Sequence, residues 1–267
     1  MDFRGNYIVL TGATGGIGRA IATELSKDGA RLILVARNEQ KLTDLVAELG
    51  STDHRAISAD LSDDDGRRRV VEACHSVGDP GISLLINAAG INEFEMFQKQ
   101  SAQSIRELLD VNLLSPILLT QELLPVLQQQ EQGRIINIGS TFGSIGYPGF
   151  SGYCASKFGL RGFTEALRRE LADTNIRVSY VAPRATRTDL NSDNVVAMNH
   201  ELGTAMDDPS LVASEVMRVI RGPANTDKYI GWPEKLFVRI NALFPGIVDN
   251  SLRKQLPTIR RFASTKP

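Results

Sequence analysis

The chain has 267 residues, of which 42% are hydrophobic and 23% are charged, and its formal net charge is −1. This length and composition suit one well-packed α/β domain, and a charge so close to zero gives no electrostatic reason to expect a nucleic-acid partner. The cysteines and histidines lack metal-ligand spacing, no apolar run is long enough to span a membrane, and the first residues lack the pattern of a signal peptide. We therefore expect a cytoplasmic protein without a metal site.

Apolar runs and helical patterns alternate along the chain. Strands are predicted near residues 6–11, 31–36, 54–59, 82–88, 133–139, 176–182 and 227–231. Helices are predicted near residues 17–28, 38–49, 62–77, 101–130, 151–173 and 209–221. Such alternation predicts an α/β doubly wound fold, in which a seven-stranded parallel sheet carries helices on both faces. Ligands of such sheets bind beyond the carboxyl ends of the strands.

Two of the predicted helices contain residues that set their bounds. In the helix near 101–130, Pro116 predicts a kink and Pro125 predicts an early end, because proline cannot donate the helical hydrogen bond. Ser62 is the predicted N-cap of the helix near 62–77, and the acidic residues that follow it favour a first helical turn.

A glycine-rich turn follows the first predicted strand. Residues 11–18 read Thr-Gly-Ala-Thr-Gly-Gly-Ile-Gly and lead directly into a helical pattern. Glycine permits positive φ and close approach of the backbone to a pyrophosphate, and the first turn of the helix attracts phosphate groups. Strand, glycine turn and helix together predict a dinucleotide site. A plain surface turn is the alternative.

The end of the second predicted strand bears on the choice of dinucleotide. This strand ends in Ala36-Arg37, with no acidic residue for the ribose 2′-hydroxyl of NAD. Arginine forms paired, charge-assisted hydrogen bonds with phosphate. We therefore predict NADP(H) rather than NAD(H). The alternative is that Arg37 only faces solvent at the start of a helix.

Tyr153 and Lys157 stand four residues apart in a predicted helix, and Ser140 precedes them at the end of a strand. Residues at i and i+4 share one helix face. A nearby cation should lower the tyrosine pKa toward the working pH, and Ser140 could hydrogen-bond the same substrate oxygen. The set predicts a general acid/base for a carbonyl or an alcohol. A solvated helix pair is the alternative for Tyr153 and Lys157 taken alone.

The order and spacing of these motifs resemble the short-chain dehydrogenase/reductase family over about residues 5–232. The resemblance implies a single-domain Rossmann fold and hydride transfer between nicotinamide and a carbonyl or secondary alcohol. It implies catalytic roles for Asn112, Ser140, Tyr153 and Lys157. It implies cofactor contacts for Gly12, Thr14, Gly16, Ile17, Gly18, Arg37, Asp60, Leu61, Asn87, Ala88, Gly90, Tyr153, Lys157, Pro183 and Thr188. It further implies that Lys157 binds the nicotinamide ribose and is linked through water to Asn112, and that the protein is a homodimer or homotetramer with contacts around residues 101–130 and 151–173.

One residue departs from the family pattern. Members commonly have glycine after the proline of a Pro-Gly-x-x-x-Thr motif, whereas this chain has Pro183-Arg184 and keeps Thr188. The departure puts the backbone of this loop in question rather than the chemistry. Arg184 could reach the cofactor phosphates or could point to solvent.

Two segments should determine what is particular to this chain. Residues 188–208 resemble the substrate lid of the family, with a plain surface connection as the alternative. Residues 1–232 are expected to form the catalytic domain with this lid, and residues 233–267 an amphipathic, basic tail. The tail has an apolar stripe at helical steps, made of Leu236, Phe237, Ile240, Leu243, Phe244 and Ile247. The stripe could pack on the domain or a partner subunit, line the pocket of an apolar substrate, or lie on a membrane surface.

These patterns together predict an NADP(H)-dependent oxidoreductase that acts on an apolar or lipid-like carbonyl or secondary alcohol. The alternatives are an NAD-linked alcohol dehydrogenase, a catalytically silent NADPH-binding or sensor protein, and a sugar epimerase or dehydratase. The last would need a larger carboxyl-terminal region than this chain has.

Overall fold

The computed structural model describes residues 5–50, 53–79, 81–223 and 225–264. Its strands are β1 (Tyr7–Thr11), β2 (Arg31–Ala36), β3 (Arg55–Ser58), β4 (Ile82–Asn87), β5 (Gly133–Ile138), β6 (Ile176–Ala182) and β7 (Asp227–Tyr229). They form one parallel sheet in the order β3-β2-β1-β4-β5-β6-β7. The predicted seven-stranded, doubly wound sheet is therefore confirmed.

Helices cover both faces of this sheet. They are α1 (Gly16–Lys27), α2 (Glu39–Leu49), α3 (Asp64–His75), α4 (Ala102–Leu109), α5 (Ser115–Gln128), α6 (Ser151–Glu170), α7 (Asp193–Glu201), α8 (Pro209–Arg221), α9 (Glu234–Leu243) and α10 (Pro245–Ser264). Alternate residues of β1 enter opposite cores, because successive strand residues point to opposite faces. Ile8 and Leu10 pack with α1 and α8, whereas Tyr7 and Val9 pack with α3 and α5.

The helix predicted near 101–130 is interrupted. A π-turn spans Asp110–Leu114 between α4 and α5, and Ser115 donates a hydrogen bond of 2.7 Å from its hydroxyl to the Asp110 carbonyl. Pro116 lies in the first turn of α5, where proline is tolerated. The early end predicted at Pro125 is wrong, since α5 continues to Gln128. Pro125 lies on the exposed side of α5, so the carbonyl that it leaves without a helical donor can be hydrated.

The N-cap predicted for α3 is also wrong by one residue. Asp63 caps the helix, because its side chain accepts a hydrogen bond from the Gly66 amide. Ser62 instead donates a hydrogen bond of 2.7 Å to the Asp60 carboxylate. The Asp60 carboxylate engages the Ser62 hydroxyl, which leaves the carboxylate of Asp63 to cap the helix.

The sheet order creates a crevice at its carboxyl edge. β1 lies between β2 and β4, so the chain leaves β1 toward one side of the sheet and leaves β4 toward the other. Ligands of doubly wound sheets bind at this reversal. The loops that follow β1, β4, β5 and β6 therefore meet above the centre of the sheet.

Candidate active site

The loop between β1 and α1 has the shape of a phosphate cradle. Gly12 has φ +64, and a Cβ on it would lie 2.7 Å from the Ala88 carbonyl oxygen. A Cβ on Gly18 would lie 2.1 Å from the Gly12 carbonyl oxygen, so glycine is required at both positions. α1 begins at Gly16, and the amides of its first turn have no helical acceptors. The residues present fit a pyrophosphate, which would lie over the positive end of α1.

Other predicted cofactor residues border the same cradle. Thr14 and Ile17 are half-buried on the loop and on α1. Thr188 lies directly over Gly16, because a Cβ on that glycine would be 2.5 Å from the Thr188 methyl carbon. Pro183 is buried at the end of β6, and its carbonyl accepts a hydrogen bond of 3.0 Å from the Thr141 amide. The loops after β1 and β6 therefore approach each other as the sequence predicts.

A buried hydroxyl fixes the loop after β4 against β1. Thr11 accepts hydrogen bonds of 3.0 and 3.1 Å from the amides of Ala88 and Ala89. The Asn87 side chain donates to Asn137 at 2.9 Å and to Thr120 at 3.1 Å, so its amide belongs to a buried network below the site. Thr11 is a positioning residue that the glycine motif contains but sequence reasoning leaves without a role.

Arg37 lies at the exposed end of β2, near the predicted adenine residue Asp60. Burial opposes ionisation of Asp60, but hydrogen bonds from Ser62 and the charge of Arg37 outweigh it and lower the pKa of this carboxyl. Leu61 is buried in the core beneath. Ser58 lies beside Arg37, because its hydroxyl donates a hydrogen bond of 3.1 Å to the Arg37 carbonyl.

Arg69 is a second cation beside this corner. Its guanidinium donates a hydrogen bond of 3.4 Å to the Ser58 carbonyl. Arg69 belongs to a run of three arginines at residues 67–69. Their different surroundings separate them: Arg67 is buried, Arg68 pairs with Asp65, and Arg69 faces the loop between Ser58 and Asp60. Nothing in the sequence pattern alone distinguishes the three.

Tyr153, Lys157 and Ser140 come together where β5 meets α6. Tyr153 and Lys157 are buried on one face of α6, and the Lys157 ammonium lies 5.8 Å from the centroid of the Tyr153 ring. The Ser140 side chain is hydrogen-bonded to Tyr153. Lys157 donates a hydrogen bond of 3.2 Å to the Ile138 carbonyl at the end of β5. The arrangement predicted from spacing is therefore present.

The pKa values of Tyr153 and Lys157 differ from the prediction. Burial raises the pKa of Tyr153 to about 12, and the hydrogen bond from Ser140 offsets only part of that effect. Burial also lowers the pKa of Lys157 to about 8. The expectation that Lys157 brings the tyrosine pKa toward neutrality does not hold for this structure, because burial has the largest effect on the pKa of both groups. Tyr153 holds its proton at neutral pH.

Tyr180 holds the backbone of Ser140 in place. Its hydroxyl accepts a hydrogen bond from the Ser140 amide and donates one to the Ser140 carbonyl, both at 3.1 Å. A Cβ on Gly139 would lie 1.9 Å from the Tyr180 ring, so the ring needs glycine there. Tyr180 is the one aromatic residue of strand β6, which is the sequence signal that could have indicated this positioning residue.

Asn112 is fully buried in the π-turn. Its side chain accepts a hydrogen bond of 2.8 Å from the Ile91 amide and donates one of 2.9 Å to the Ile91 carbonyl. A further bond of 3.1 Å runs to the Ser156 hydroxyl on α6. A Cβ on Gly90 would be 3.2 Å from the Asn112 oxygen and 3.6 Å from the Lys157 nitrogen. Asn112 and Lys157 thus border one point beside Gly90.

Arg184 neither reaches the phosphate cradle nor points freely to solvent, so both sequence interpretations are wrong. Its guanidinium lies 2.7 Å from Asp207 and 3.1 Å from Glu234, and it donates to the Trp232 carbonyl at 3.0 Å. A Cβ on Gly231 would be 2.7 Å from the Arg184 side chain. Arginine fits here because two acidic residues, one at the end of the predicted lid and one in the tail, surround it.

Tyr153 lies in a packed cluster of apolar side chains, which we call the chamber. Its ring makes edge contacts with Phe142 and Phe150, at centroid distances of 6.4 and 6.3 Å. The same cluster contains residues of the predicted lid, which forms helix α7, and of α10. These residues are Val195, Met198, Leu202, Ile259 and Phe262. The Tyr147 hydroxyl also lies 3.4 Å from Gln255 of α10. The tail therefore forms one wall of the chamber, with residues other than the predicted stripe.

Comparison with known proteins identifies the family. A family model described as short chain dehydrogenase matches residues 6–198. The chain belongs to the short-chain dehydrogenase/reductase family. The 3-oxoacyl-(acyl-carrier-protein) reductase of Bos taurus is 37% identical over 192 residues, which cover 72% of this chain and 78% of the bovine protein. Carbonyl reductase family member 4 of Xenopus laevis is 37% identical over 183 residues, covering 68% of this chain and 76% of that protein. The crystal structure of a dehydrogenase/reductase from Sinorhizobium meliloti 1021 has a TM-score of 0.76 at 28% identity, covering 85% of this chain and 94% of that chain.

Membership in the short-chain dehydrogenase/reductase family makes this protein an oxidoreductase for alcohol and carbonyl groups that uses NAD(H) or NADP(H). The matched region ends at residue 198, so α8, α9 and α10 lie beyond it. None of the helices in the described ranges is long and apolar enough to cross a membrane.

Proposed function

We propose that this protein catalyses the NADPH-linked reduction of an apolar, lipid-like carbonyl compound to a secondary alcohol. The position of the Tyr153 hydroxyl carries the proposal, because this hydroxyl is hydrogen-bonded to the Ser140 side chain among apolar residues of the chamber. Such walls favour a substrate without charge next to its carbonyl group. Burial raises the pKa of Tyr153, so that it carries at neutral pH the proton that carbonyl reduction needs at this position.

The chain's own residues account for the proton side of the reaction. NADPH, when bound, supplies a hydride to the carbonyl carbon. Tyr153 donates its proton to the carbonyl oxygen, which becomes the alcohol oxygen. Ser140 hydrogen-bonds the same oxygen and orients it toward the tyrosine. The aromatic rings around Tyr153 exclude water from the developing charge.

Lys157 and Asn112 complete this proposal. The Lys157 ammonium stabilises the phenolate once Tyr153 has lost its proton, and its place beside Gly90 suits a bond to the nicotinamide ribose. Asn112 borders the same point, where one water molecule could pass a proton back toward Tyr153. The hydrogen bonds of Asn112 to Ile91 also fix the loop after β4.

The cofactor contacts follow the edge of the sheet. We propose that Gly12, Thr14, Gly16, Ile17 and Gly18 hold the pyrophosphate, that Asp60 and Leu61 border the adenine, and that Asn87, Ala88, Gly90, Pro183 and Thr188 border the nicotinamide half. Arg37 supports NADP(H) over NAD(H), and Arg69 across Ser58 adds a second cation for a 2′-phosphate.

We further propose a cytoplasmic homo-oligomer. Leu114 in the π-turn and Phe158 on α6 are 47% and 42% exposed, and both lie in the regions where the family resemblance places subunit contacts. Exposed apolar side chains on such faces are typical of surfaces that a second subunit covers. Residues 5–232 would form the catalytic domain with a lid at 188–208, and residues 233–264 an extension that completes the chamber. Residues 1–4 of the predicted domain and residues 265–267 of the predicted tail lie outside the described part.

The test is NADPH oxidation with ketones of graded chain length, measured for the wild type, Tyr153→Phe and Tyr147→Phe. Loss of the Tyr153 proton donor should lower kcat by about 10²- to 10⁴-fold, while NADPH binding by fluorescence titration is retained. Tyr147→Phe removes a hydroxyl from the same aromatic cluster and should keep most of the activity. Near-normal turnover by folded Tyr153→Phe would refute the assignment. NADPH binding without turnover of any ketone would favour the silent binding protein instead.

A further inference from the structure

The surface carries a row of large apolar side chains that the chamber does not use. We call it the hairpin patch: Trp232, Leu236, Phe237, Leu243, Phe244 and Ile247. These side chains are between 40% and 72% exposed. They lie just before α9, on α9, in the turn at Phe244, and at the start of α10. Contiguous exposed apolar surface of this kind indicates a binding surface.

The hairpin patch faces away from the protein body. α9 is held by Val238, which is buried, and by Asn241, whose side chain donates a hydrogen bond of 2.9 Å to the Ser144 carbonyl. Leu236, Leu243 and Phe244 lie on a different face of the helix, since i, i+7 and i+8 project together. Of the stripe predicted from the sequence, Ile240 is half-buried, whereas the other five residues are exposed.

Basic residues flank the hairpin patch. Residues 232–264 contain six basic side chains (Lys235, Arg239, Arg253, Lys254, Arg260, Arg261) and two acidic ones (Glu234, Asp249), which gives +6 − 2 = +4 in a chain of net charge −1. In the described ranges, Lys235, Arg239 and Lys254 have no acidic side chain within salt-bridge distance, whereas Glu234 is neutralised by Arg184. Arg239 shares a helix edge with Leu236 and Leu243, at i+3 and i+4.

We propose that the hairpin patch docks on an anionic phospholipid surface. An apolar face with tryptophan and phenylalanine, bordered by lysine and arginine, matches the interfacial region of a bilayer with acidic headgroups. A second copy of this chain fits less well, because a twofold contact through the patch would place Lys235 and Arg239 near the same cations of the partner. An anionic lipid surface complements both the apolar and the charged part.

Docking at this place would set the chamber close to the membrane. Ile247 of the hairpin patch lies in the first turn of α10, and later turns of this helix supply Ile259 and Phe262 to the wall around Tyr153. An apolar substrate dissolved in the lipid would then reach the chamber without crossing bulk water. Docking itself does not depend on the proposed reduction, so vesicle binding tests it whether or not a carbonyl substrate is found.

The experiment is sedimentation of the full chain with vesicles of phosphatidylcholine alone and of phosphatidylcholine mixed equally with phosphatidylglycerol. Leu243→Ser/Phe244→Ser removes two patch residues that are 72% and 62% exposed. Phe97→Ser/Leu211→Ser is the matched control, since these apolar residues are 63% and 43% exposed outside the patch. Lys235→Gln/Arg239→Gln tests the charged border. Thermal unfolding checks the fold of each variant, and sedimentation velocity without lipid measures self-association.

We expect the wild type and the control to sediment with the acidic vesicles and to stay in solution with phosphatidylcholine alone. Leu243→Ser/Phe244→Ser and Lys235→Gln/Arg239→Gln should each weaken binding by about tenfold or more. The proposal is overturned if the wild type stays in the supernatant with acidic vesicles, if both vesicle types bind it equally, or if the patch variant binds like the control. Absence of vesicle binding together with a dimer that Leu243→Ser/Phe244→Ser dissociates would assign the patch to a second copy instead.

Discussion

Arg184 donates a hydrogen bond of 2.7 Å to Asp207 and so joins the two ends of the predicted lid. Asp207 is also held by its backbone, which bonds Ala185 at 2.8 Å and Arg187 at 2.9 Å. The segment that carries α7 therefore begins and ends at one fixed base. Glu234, on the other side of Arg184, ties this base to α9.

Replacing Arg184 should loosen this base. Arg184→Ala leaves the buried Asp207 carboxylate without its cation, and we expect a loss of about 2–4 kcal/mol in the free energy of unfolding. The KM for a carbonyl substrate should rise more than the KM for NADPH, because the lid lies over the chamber. Arg169→Ala is the control, since Arg169 forms an exposed pair with Glu165 and should change stability by about 1 kcal/mol or less. Denaturant unfolding measures the change in stability, and steady-state kinetics measure the change in KM. Equal losses of stability in the two variants would contradict the role of Arg184 in holding the base of the lid.

The lowered pKa of Lys157 predicts a pH dependence. Lys157 is positively charged below pH about 8 and neutral above it, and the proposed role needs the charged form. We expect kcat/KM for NADPH to be flat between about pH 6 and 7 and to fall about tenfold per pH unit above about 8, since this ratio reports on the free enzyme. Lys157→Arg should lower the rate but remove the alkaline limb, because arginine stays charged. A wild-type profile that is still flat at pH about 9.5 would sink the prediction.

The two arginines near Ser58 predict the cofactor preference. Arg37→Asp should raise the KM for NADPH about tenfold or more and leave the KM for NADH unchanged or lower, because the new carboxylate repels a 2′-phosphate. Arg69→Asp should act in the same direction with a smaller effect. Arg68→Asp is the control on the same helix, where the side chain is 63% exposed and pairs with Asp65. An unchanged preference in Arg37→Asp would rule out a phosphate role for this residue.

Glycine at position 12 should be irreplaceable. Gly12→Ala forces a Cβ to 2.7 Å from the Ala88 carbonyl and also strains a backbone with φ +64. We expect a loss of about 2–4 kcal/mol from backbone strain and overpacking together, with loss of NADPH binding. Gly146→Ala is the matched control, since its Cβ would meet no atom within 4 Å. Thermal unfolding and fluorescence titration with NADPH distinguish the two variants. If Gly12→Ala bound NADPH as tightly as the wild type, the loop after β1 would not be the phosphate cradle.

The sequence predicts strands better than the charged interactions around them. Apolar runs such as Leu32–Val35 are buried on both faces in a parallel sheet, so strands at 31–36 and 82–87 match the predictions within one residue. Helix ends depend on single hydrogen bonds. The competition of Ser62 and Asp63 for α3, and the tolerance of Pro125 on an exposed helix face, are decided by neighbours that periodicity does not contain.

Parts of the candidate site could likewise be predicted from the sequence, and other parts could not. Tyr153, Lys157 and Ser140 could be predicted, because helix spacing and strand order are enough to bring them together. The partners of Arg184 could not, because Asp207 and Glu234 are distant in sequence and meet it only through the fold. The pKa of Tyr153 could not either, since the spacing gives the neighbouring cation but not the loss of water around the phenol.

Helix α10 supplies a chamber wall from residues that the ribosome makes after all seven strands. A nascent chain can form the sheet and the phosphate cradle before Ile259 and Phe262 exist, but Tyr153 then lacks part of its cover. Arg261 also anchors α10 to Glu201 of the lid helix. The cover of Tyr153 is therefore complete only after α10 has been made and has docked on the lid helix.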